Sequence, residues 1–181
     1  MESKIKDGFQ MNEKRRSLLY EIGIIKSENK LSKRDWDEIS EHKKLSEEFI
    51  EEFKSEVDWI NITMHQKLSE NFFRKFEESV YWSVINYQII SEDFIREFED
   101  RLSWNLISRH QKMSEVFICE FQHKINWKIY FFYQEVTFNI IKKFVFKTGH
   151  KDTNKIKCTH LKEKEKKELE KLLKLKYMFV N

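Results

Sequence analysis

Four residues with metal-binding side chains are the first candidates for a chemical site in this 181-residue chain. Cys119 and His123 stand four residues apart, so on a helix both could reach one metal ion, and Cys158 and His160 follow in the C-terminal segment. Two sulfurs and two nitrogens would suit a tetrahedral zinc ion. However, Cys-x-His is an unusual zinc spacing, and the repeat described below places Cys119 and His123 at surface positions. We therefore predict no bound metal and no other cofactor.

The usual signatures of catalysis are also missing from the sequence. It has no glycine-rich phosphate loop, no Gly-x-Ser-x-Gly and no His-Glu-x-x-His. Its many carboxylates, such as Glu47, Glu48, Glu51 and Glu52, fall where helix caps and a solvated outer face account for them. We predict that the chain is not an enzyme.

The distribution of charge suggests a different kind of site. Residues 45–135 hold 10 basic and 17 acidic residues, a net of −7, whereas residues 136–181 hold 13 basic and 5 acidic residues, a net of +8. A lysine cluster can neutralise nucleic-acid phosphates without reading the base sequence. The candidate contacts are Lys142, Lys143, Lys147, Lys151, Lys155 and Lys157. Nucleic acid is therefore one partner that the sequence allows.

The segment after these lysines favours a structural role. It alternates Lys with Glu and spaces its apolar residues as on one face of a helix. Those apolar residues are Leu161, Leu169, Leu172, Leu173 and Met178. An amphipathic helix here would cap the exposed end of a repeat array, which such arrays require. We favour capping over nucleic-acid binding for this segment.

The elements that would position these residues follow from a repeat. The tryptophans lie 23, 23, 22 and 23 residues apart, at Trp36, Trp59, Trp82, Trp104 and Trp127. A fixed period of this length is the signature of stacked repeats. The repeat units start near residues 45, 68, 90, 113 and 136.

Each unit carries two helix-start signals. A Ser or Thr that can cap a first helix follows an apolar residue in every unit, at Ser46, Ser69, Ser91, Ser114 and Thr137. The residue before each Trp would cap a second helix, and four of the five are good N-caps: Asp35, Asp58, Ser103 and Asn126, but not Tyr81. In the first full unit we expect the second helix to start at Trp59 and run to about Gln66. Helices this short need tertiary packing to be stable.

The recurring aromatic residues predict the core of the repeat. Phe49, Ile50, Phe53 and Val57 have helical spacing. The predicted core residues are Trp36, Trp59, Trp82, Trp104, Trp127, Phe53, Phe76, Phe98 and Phe121. Glutamines that recur at Gln66, Gln88, Gln111 and Gln134 could be ligand contacts, but we favour hydrogen bonds to turn backbone groups.

These units predict an all-α fold of short αα-hairpin repeats stacked as an α-solenoid, with helical capping segments at both ends. Residues 1–30 would be an N-terminal capping segment that includes SLLYEIGII at 17–25, residues 31–144 the array, and residues 145–181 a basic linker and the C-terminal helix.

The pattern Trp-x-x-Ile-Ser-x-x-Gln-x-Leu-Ser-Glu-x-Phe-Ile, closest in WNLISRHQKMSEVFI at 104–118, resembles short repeats in proteins of large DNA viruses that infect protists. The resemblance covers about 114 residues. It implies a viral origin and a helical repeat, but no established activity and no catalytic residues.

Composition adds expectations about location and partners. Two cysteines cannot build a disulfide framework, the N-terminus lacks a signal-peptide pattern and no apolar run could span a membrane. We expect a soluble, intracellular protein, in the host cytoplasm or the virion if viral, with no membrane association. Its function is predicted to be a non-enzymatic scaffold that binds an unidentified protein, with nucleic-acid binding through the basic segment as the alternative.

Overall fold

All regular structure in the described residues is helical, which confirms the all-α prediction. The structure is a computed structural model that describes residues 13–24, 31–147, 156, 157 and 159–178, and this part of the chain contains no strand. The chain divides into two units, Met1–Gln88 and Ile89–Asn181. No helix among the described residues has both the length and the apolarity to cross a bilayer.

The first unit contains short helices with one apolar cluster between them. Its helices are α1 (13–21), α2 (Lys33–His42), α3 (Glu47–Glu52), α4 (Trp59–His65), α5 (Glu70–Lys75) and a 3₁₀ turn (Ile85–Tyr87). Leu18 and Leu19 of α1 are buried with Phe49, Phe53 and other residues of the repeats. The apolar segment around residue 18 therefore packs on the repeats of its own unit.

The second unit repeats the pattern and adds a longer helix. Its helices are α6 (Glu92–Glu97), α7 (Trp104–His110), α8 (Glu115–Glu120), α9 (Trp127–Tyr133), α10 (Phe138–Phe144), a 3₁₀ turn (Val145–Lys147) and α11 (Glu163–Met178). Leu169 and Leu173 of α11 are buried in one cluster with Phe131, Ile141 and Phe144. One apolar face of α11 thus covers the last repeat of this unit.

The Ser and Thr residues that we predicted as first-helix caps all have that role. Each side-chain oxygen accepts a hydrogen bond from the backbone N–H three residues later, in α3, α5, α6, α8 and α10. The distances range from 3.1 Å for Ser46 to 3.4 Å for Thr137. These bonds satisfy first-turn donors that a six- or seven-residue helix would otherwise leave unpaired.

The second-helix caps agree only in part with those predicted from the sequence. Asp58 and Asn126 accept from Asn61 and Ile129, as predicted. Ser103 precedes α7 without a side-chain capping bond. The prediction for Asp35 was wrong: α2 begins at Lys33, with Ser32 as its cap. Because Asp35 accepts from the Ser32 backbone in return, the pair forms a capping box.

The unit around Trp82 has no second α-helix. Trp82 lies in a turn, and only the 3₁₀ turn Ile85–Tyr87 follows. Gln88 follows Trp82 by six positions, whereas Gln66 follows Trp59 by seven. Since a 3₁₀ turn rises about 2.0 Å per residue against about 1.5 Å in an α-helix, it spans a similar length with one residue fewer. The uncapped Tyr81 and the shorter spacing thus explain this departure together.

The recurring glutamines bond to backbone groups of the preceding repeat or to the first residue of their own repeat. The Gln66 amide donates to the carbonyls of Ser40 and Lys43, at 2.9 and 2.8 Å, and its oxygen accepts from the Leu45 N–H at 2.9 Å. Gln88 donates in the same way to Thr63 and Gln66, and Gln134 donates to Arg109. Gln111 accepts from the Ile90 N–H. These bonds confirm the structural interpretation of the glutamines.

A recurring buried hydroxyl, which we did not identify from the sequence, forms a second link between repeats. Ser108 is fully buried, donates to the Trp104 carbonyl at 2.6 Å and accepts from the Asn126 N–H at 3.0 Å. Equivalent links join Ser40 to Trp36 and Asp58, and Thr63 to Trp59 and Tyr81. The signal was a Ser or Thr four residues after each of three tryptophans. Each hydroxyl connects a second helix to the residue before the Trp of the next repeat.

Candidate interaction surfaces

Residues on consecutive first helices, or within four residues after them, form ion pairs within each unit. In the second unit, the guanidinium of Arg96 lies 2.8 Å from a carboxylate oxygen of Glu120. The Lys124 ammonium lies 3.1 Å from Glu99 and 3.3 Å from Asp100. We call these contacts the α6–α8 pairing. The first unit has an equivalent contact between Glu51 and Lys75.

The charges of the α6–α8 pairing stabilise each other. The hydrogen bond from Arg96 lowers the pKa of Glu120, and the same bond raises the pKa of Arg96. The hydrogen bond to Glu99 likewise raises the pKa of Lys124. Each cation on this part of the surface therefore has an anion within contact distance.

The equivalent contacts one repeat later contain lysines but no carboxylate. Lys143 donates to the Cys119 sulfur at 3.2 Å, and Lys147 donates to the Gln122 amide oxygen at 2.9 Å. We call these contacts the α8–α10 pairing. Together with Lys142, the two lysines form no ion pair with any Asp or Glu in the described part of the chain. Among the residues that the structure describes, these three exposed cations are thus uncompensated.

Aromatic rings support the lysines of the α8–α10 pairing. The ammonium groups of Lys143 and Lys147 lie 5.3 and 5.5 Å from the centre of the Phe144 ring, and Lys147 lies 5.8 Å from Trp127. Phe144 stacks on Trp127 with a centroid distance of 4.3 Å. These cation–π contacts hold both ammonium groups at the same aromatic pair.

The other predicted nucleic-acid contacts differ from these three lysines. Lys157 pairs with Glu135 at 3.3 Å, and its backbone N–H donates to Phe131. Lys151 and Lys155 lie outside the described residues. The described cationic surface therefore consists of Lys142, Lys143 and Lys147.

A second surface lies on the second helices of the same unit. The sequences of α7 and α9, WNLISRH and WKIYFFY, contain no acidic residue. The Phe132 side chain is 51% exposed and Tyr133 is 41% exposed, and their rings meet edge to face at 4.9 Å. The Arg109 guanidinium lies 4.4 Å from the centre of the Tyr133 ring. We call Arg109, Phe132 and Tyr133 the aromatic–arginine patch.

The three described residues of the metal hypothesis, Cys119, His123 and His160, belong to no group of metal ligands within the described part of the chain. Cys119, which we predicted at a surface position, is partly exposed and packs against the core of the second unit. His123 is exposed, and the His160 ring nitrogen contacts the Val136 carbonyl at 2.6 Å. Cys158 lies outside the described residues. Among the residues that are described, no three His, Cys, Asp or Glu side chains are grouped as metal ligands.

The carboxylates of Glu47, Glu48 and Glu51 in the acidic first helix α3 form hydrogen bonds or ion pairs. Glu47 accepts from the Ser69 backbone and hydroxyl, and Glu48 pairs with Lys14 at 2.9 Å. Glu51 pairs with Lys75 beside a cleft of about 470 Å³. Caps and ion pairs therefore account for this acidic cluster, in agreement with the sequence interpretation.

The predicted core aromatics divide into two groups. Trp36, Trp127, Phe53, Phe98 and Phe121 are buried. Partly exposed are Trp59, Trp82, Trp104 and Phe76. The indole N–H groups of four tryptophans donate to the carbonyl five residues earlier, in Lys54, Glu77, Glu99 and Gln122. This bond holds the polar edge of each indole at a turn while its ring packs on the Phe residues.

Sequence reasoning named Lys142, Lys143 and Lys147 within a larger set of basic residues without separating them from the rest, and it missed the aromatic–arginine patch. Comparison of equivalent positions would have shown the change in charge. Glu77 and Glu99 occupy the same position in consecutive repeats, and Gln122 occupies it in the next repeat; His123 likewise occupies the position of Asp100. The aromatic–arginine patch had a weaker signal in the sequence, because only the absence of acidic residues from α7 and α9 pointed to it. The contact between Arg109 and Tyr133 depends on how the two helices pack.

Comparison with known proteins places the chain in no family. No protein-family model matches it, and neither the curated proteins nor the solved structures include a significant match.

Proposed function

We propose that this chain is a non-enzymatic α-repeat protein that binds a protein partner through the aromatic–arginine patch, with repeats stacked in each unit as in an α-solenoid. The observation that carries the proposal is the exposure of Phe132 and Tyr133 beside Arg109 on helices that contain no acidic residue. Aromatic residues and Arg are the side chains most enriched at protein–protein hot spots.

The recurring residues of a repeat form its structural bonds, while its exposed residues vary, and this difference supports the proposal. The caps, hydroxyls and glutamines that recur are used in bonds within and between repeats. The exposed second-helix position after each Trp differs between copies, as at Ile60, Asn105 and Lys128. A surface of this kind can be specialised for a partner while the repeat fold stays the same.

The resemblance to repeats of large DNA viruses of protists supports a viral origin, which we propose with the same function. In that setting the partner would be a host or viral protein. The chemistry of the patch calls for a partner surface with a carboxylate to meet Arg109 and apolar side chains to cover Phe132.

A comparative capture experiment tests the proposal. The full chain and a Phe132→Ala/Tyr133→Ala variant would be used as baits, and a Tyr20→Ala/Tyr81→Ala variant, which removes exposed tyrosines elsewhere, would be the matched control. We expect the control to retain a partner that the patch variant loses by more than about tenfold, since hot-spot truncations cost at least that factor. Identical partner sets for all three baits, at equal helical content, would contradict the proposal.

A further inference from the structure

We propose that the α8–α10 pairing binds single-stranded nucleic acid through Lys142, Lys143 and Lys147, with the exposed ring of Phe146 as a stacking surface for a base. The proposal does not depend on the protein-binding function, because it uses first-helix positions and the adjoining 3₁₀ turn instead of the patch on α7 and α9.

The charge of the site sets it apart from the equivalent site one repeat earlier. In the α6–α8 pairing, a phosphate would have to compete with Glu99, Asp100 and Glu120 for the cations. In the α8–α10 pairing, the neutral Cys119 and Gln122 contact the lysines instead. Phosphates can therefore approach Lys143 and Lys147 without displacing a carboxylate.

The arrangement of the lysines suits a chain of phosphates. Lys143 and Lys147 stand one helical turn apart, and both ammonium groups lie over the Phe144 ring. Lys142 lies 4.9 Å from the centre of the Phe138 ring, on the same helix. Neutral hydrogen-bond acceptors contact Lys143 and Lys147, and aromatic rings contact all three ammonium groups, so a polyanion can bind them with a smaller loss of side-chain freedom.

The exposed ring of Phe146 favours single-stranded nucleic acid over a duplex as the ligand. It lies directly before Lys147 and half of its side chain is exposed, at 50%. An unpaired base can stack on such a ring while its phosphates contact the neighbouring lysines, whereas bases in a duplex are already stacked on each other.

The experiment measures binding of a fluorescent oligo-dT of roughly 15 nucleotides to the full chain by anisotropy, across a salt series. The test variant is Lys142→Gln/Lys143→Gln/Lys147→Gln. The matched control, Lys14→Gln/Lys75→Gln/Lys124→Gln, removes three lysines that form ion pairs, so the change in net charge is the same. Circular dichroism and thermal melting would verify that both variants fold.

We expect the test variant to bind at least about tenfold more weakly at low salt, and its plot of log affinity against log salt to be shallower by about 2, as for the loss of three contacts to a single strand. The control should change affinity by less than about threefold. Equal losses in the two variants, or no binding by the unmodified chain at low salt, would overturn the proposal.

Two further arms test the identity of the ligand. Phe146→Ala should weaken oligo-dT binding by about fivefold or more and leave binding of a duplex of the same length unchanged. Tighter binding of the duplex than of oligo-dT, or tighter binding to anionic phospholipid vesicles than to either, would overturn the assignment to single-stranded nucleic acid. So would a loss of binding that only Lys151→Gln/Lys155→Gln produces, because those lysines lie outside the described site.

Discussion

The α6–α8 and α8–α10 pairings use equivalent positions of consecutive repeats and have different chemistry. Both place a Lys over a Trp at 5.8 Å, Lys124 over Trp104 and Lys147 over Trp127. In the first pairing carboxylates contact the cations, and in the second a sulfur and an amide oxygen do. This repeat can therefore contact its cations with neutral groups in place of the carboxylates of the described residues, which leaves their charge for a ligand.

The aromatic pairs beneath the two pairings should contribute about equally to stability. Phe121 and Phe144 occupy equivalent positions, are 7% and 2% exposed, and stack on Trp104 and Trp127. We expect Phe121→Ala and Phe144→Ala each to lower the free energy of unfolding by about 3–5 kcal/mol. Chemical denaturation would measure both. As a control, Phe146→Ala at an exposed ring should cost less than about 1 kcal/mol; a similar cost for all three would contradict the packing described.

Tyr130 should make the second unit sensitive to alkaline pH. Burial, with a smaller effect of Glu115, raises the pKa of Tyr130 to about 12 from 10.0. The folded state therefore retains a proton that the unfolded state releases, so this contribution is complete below pH 10 and is lost as the pH rises towards 12. About two pKa units correspond to about 2–3 kcal/mol.

Denaturation at several pH values would measure this effect. Tyr130→Phe should remove the excess loss of stability above pH 10, whereas Tyr81→Phe, at an exposed ring, should retain it. If Tyr130→Phe and the unmodified chain lost stability in parallel above pH 10, the buried position of Tyr130 would be wrong.

The buried hydroxyl of Ser108 should contribute less than the aromatic rings and more than a surface residue. Ser108→Ala leaves the partly buried Asn126 N–H without its acceptor, and we expect a loss of about 1–3 kcal/mol. Ser83→Ala, at an exposed position, should change stability by less than about 0.5 kcal/mol. Equal melting of the two variants would show that the hydroxyl link is not a structural bond.

The sequence predicted those parts of the fold that depend on local chemistry. The capping role of Ser46 and its equivalents needs only a hydroxyl and the N–H three residues later, so one copy of the repeat reveals it. The link from Gln66 to Ser40 could also be anticipated, because a recurring amide among apolar residues needs a partner. Departures such as the turn at Trp82 arose where a missing cap coincided with a one-residue change in spacing.

The candidate sites could not be predicted in the same way. The contacts of Lys143 with Cys119 and of Lys147 with Gln122 join residues 24 and 25 positions apart, and they depend on how far each helix is offset from the next. The contact of Arg109 with Tyr133 likewise depends on the packing of α7 against α9. Composition located the basic segment, but only the structure separates Lys157, which pairs with Glu135, from the uncompensated lysines.

An exchange of side chains between the two pairings would show whether uncompensated charge at the α8–α10 pairing forms the binding site. Gln122→Glu/His123→Asp would give the α8–α10 pairing the acidic residues found one repeat earlier, and Glu99→Gln/Asp100→Asn would remove those residues from the α6–α8 pairing. The combined variant moves two negative charges and keeps the net charge, so only their position changes. We predict that it binds oligo-dT about tenfold more weakly than the unmodified chain. Unchanged affinity and salt dependence would contradict the claim that uncompensated charge at this one contact forms the binding site.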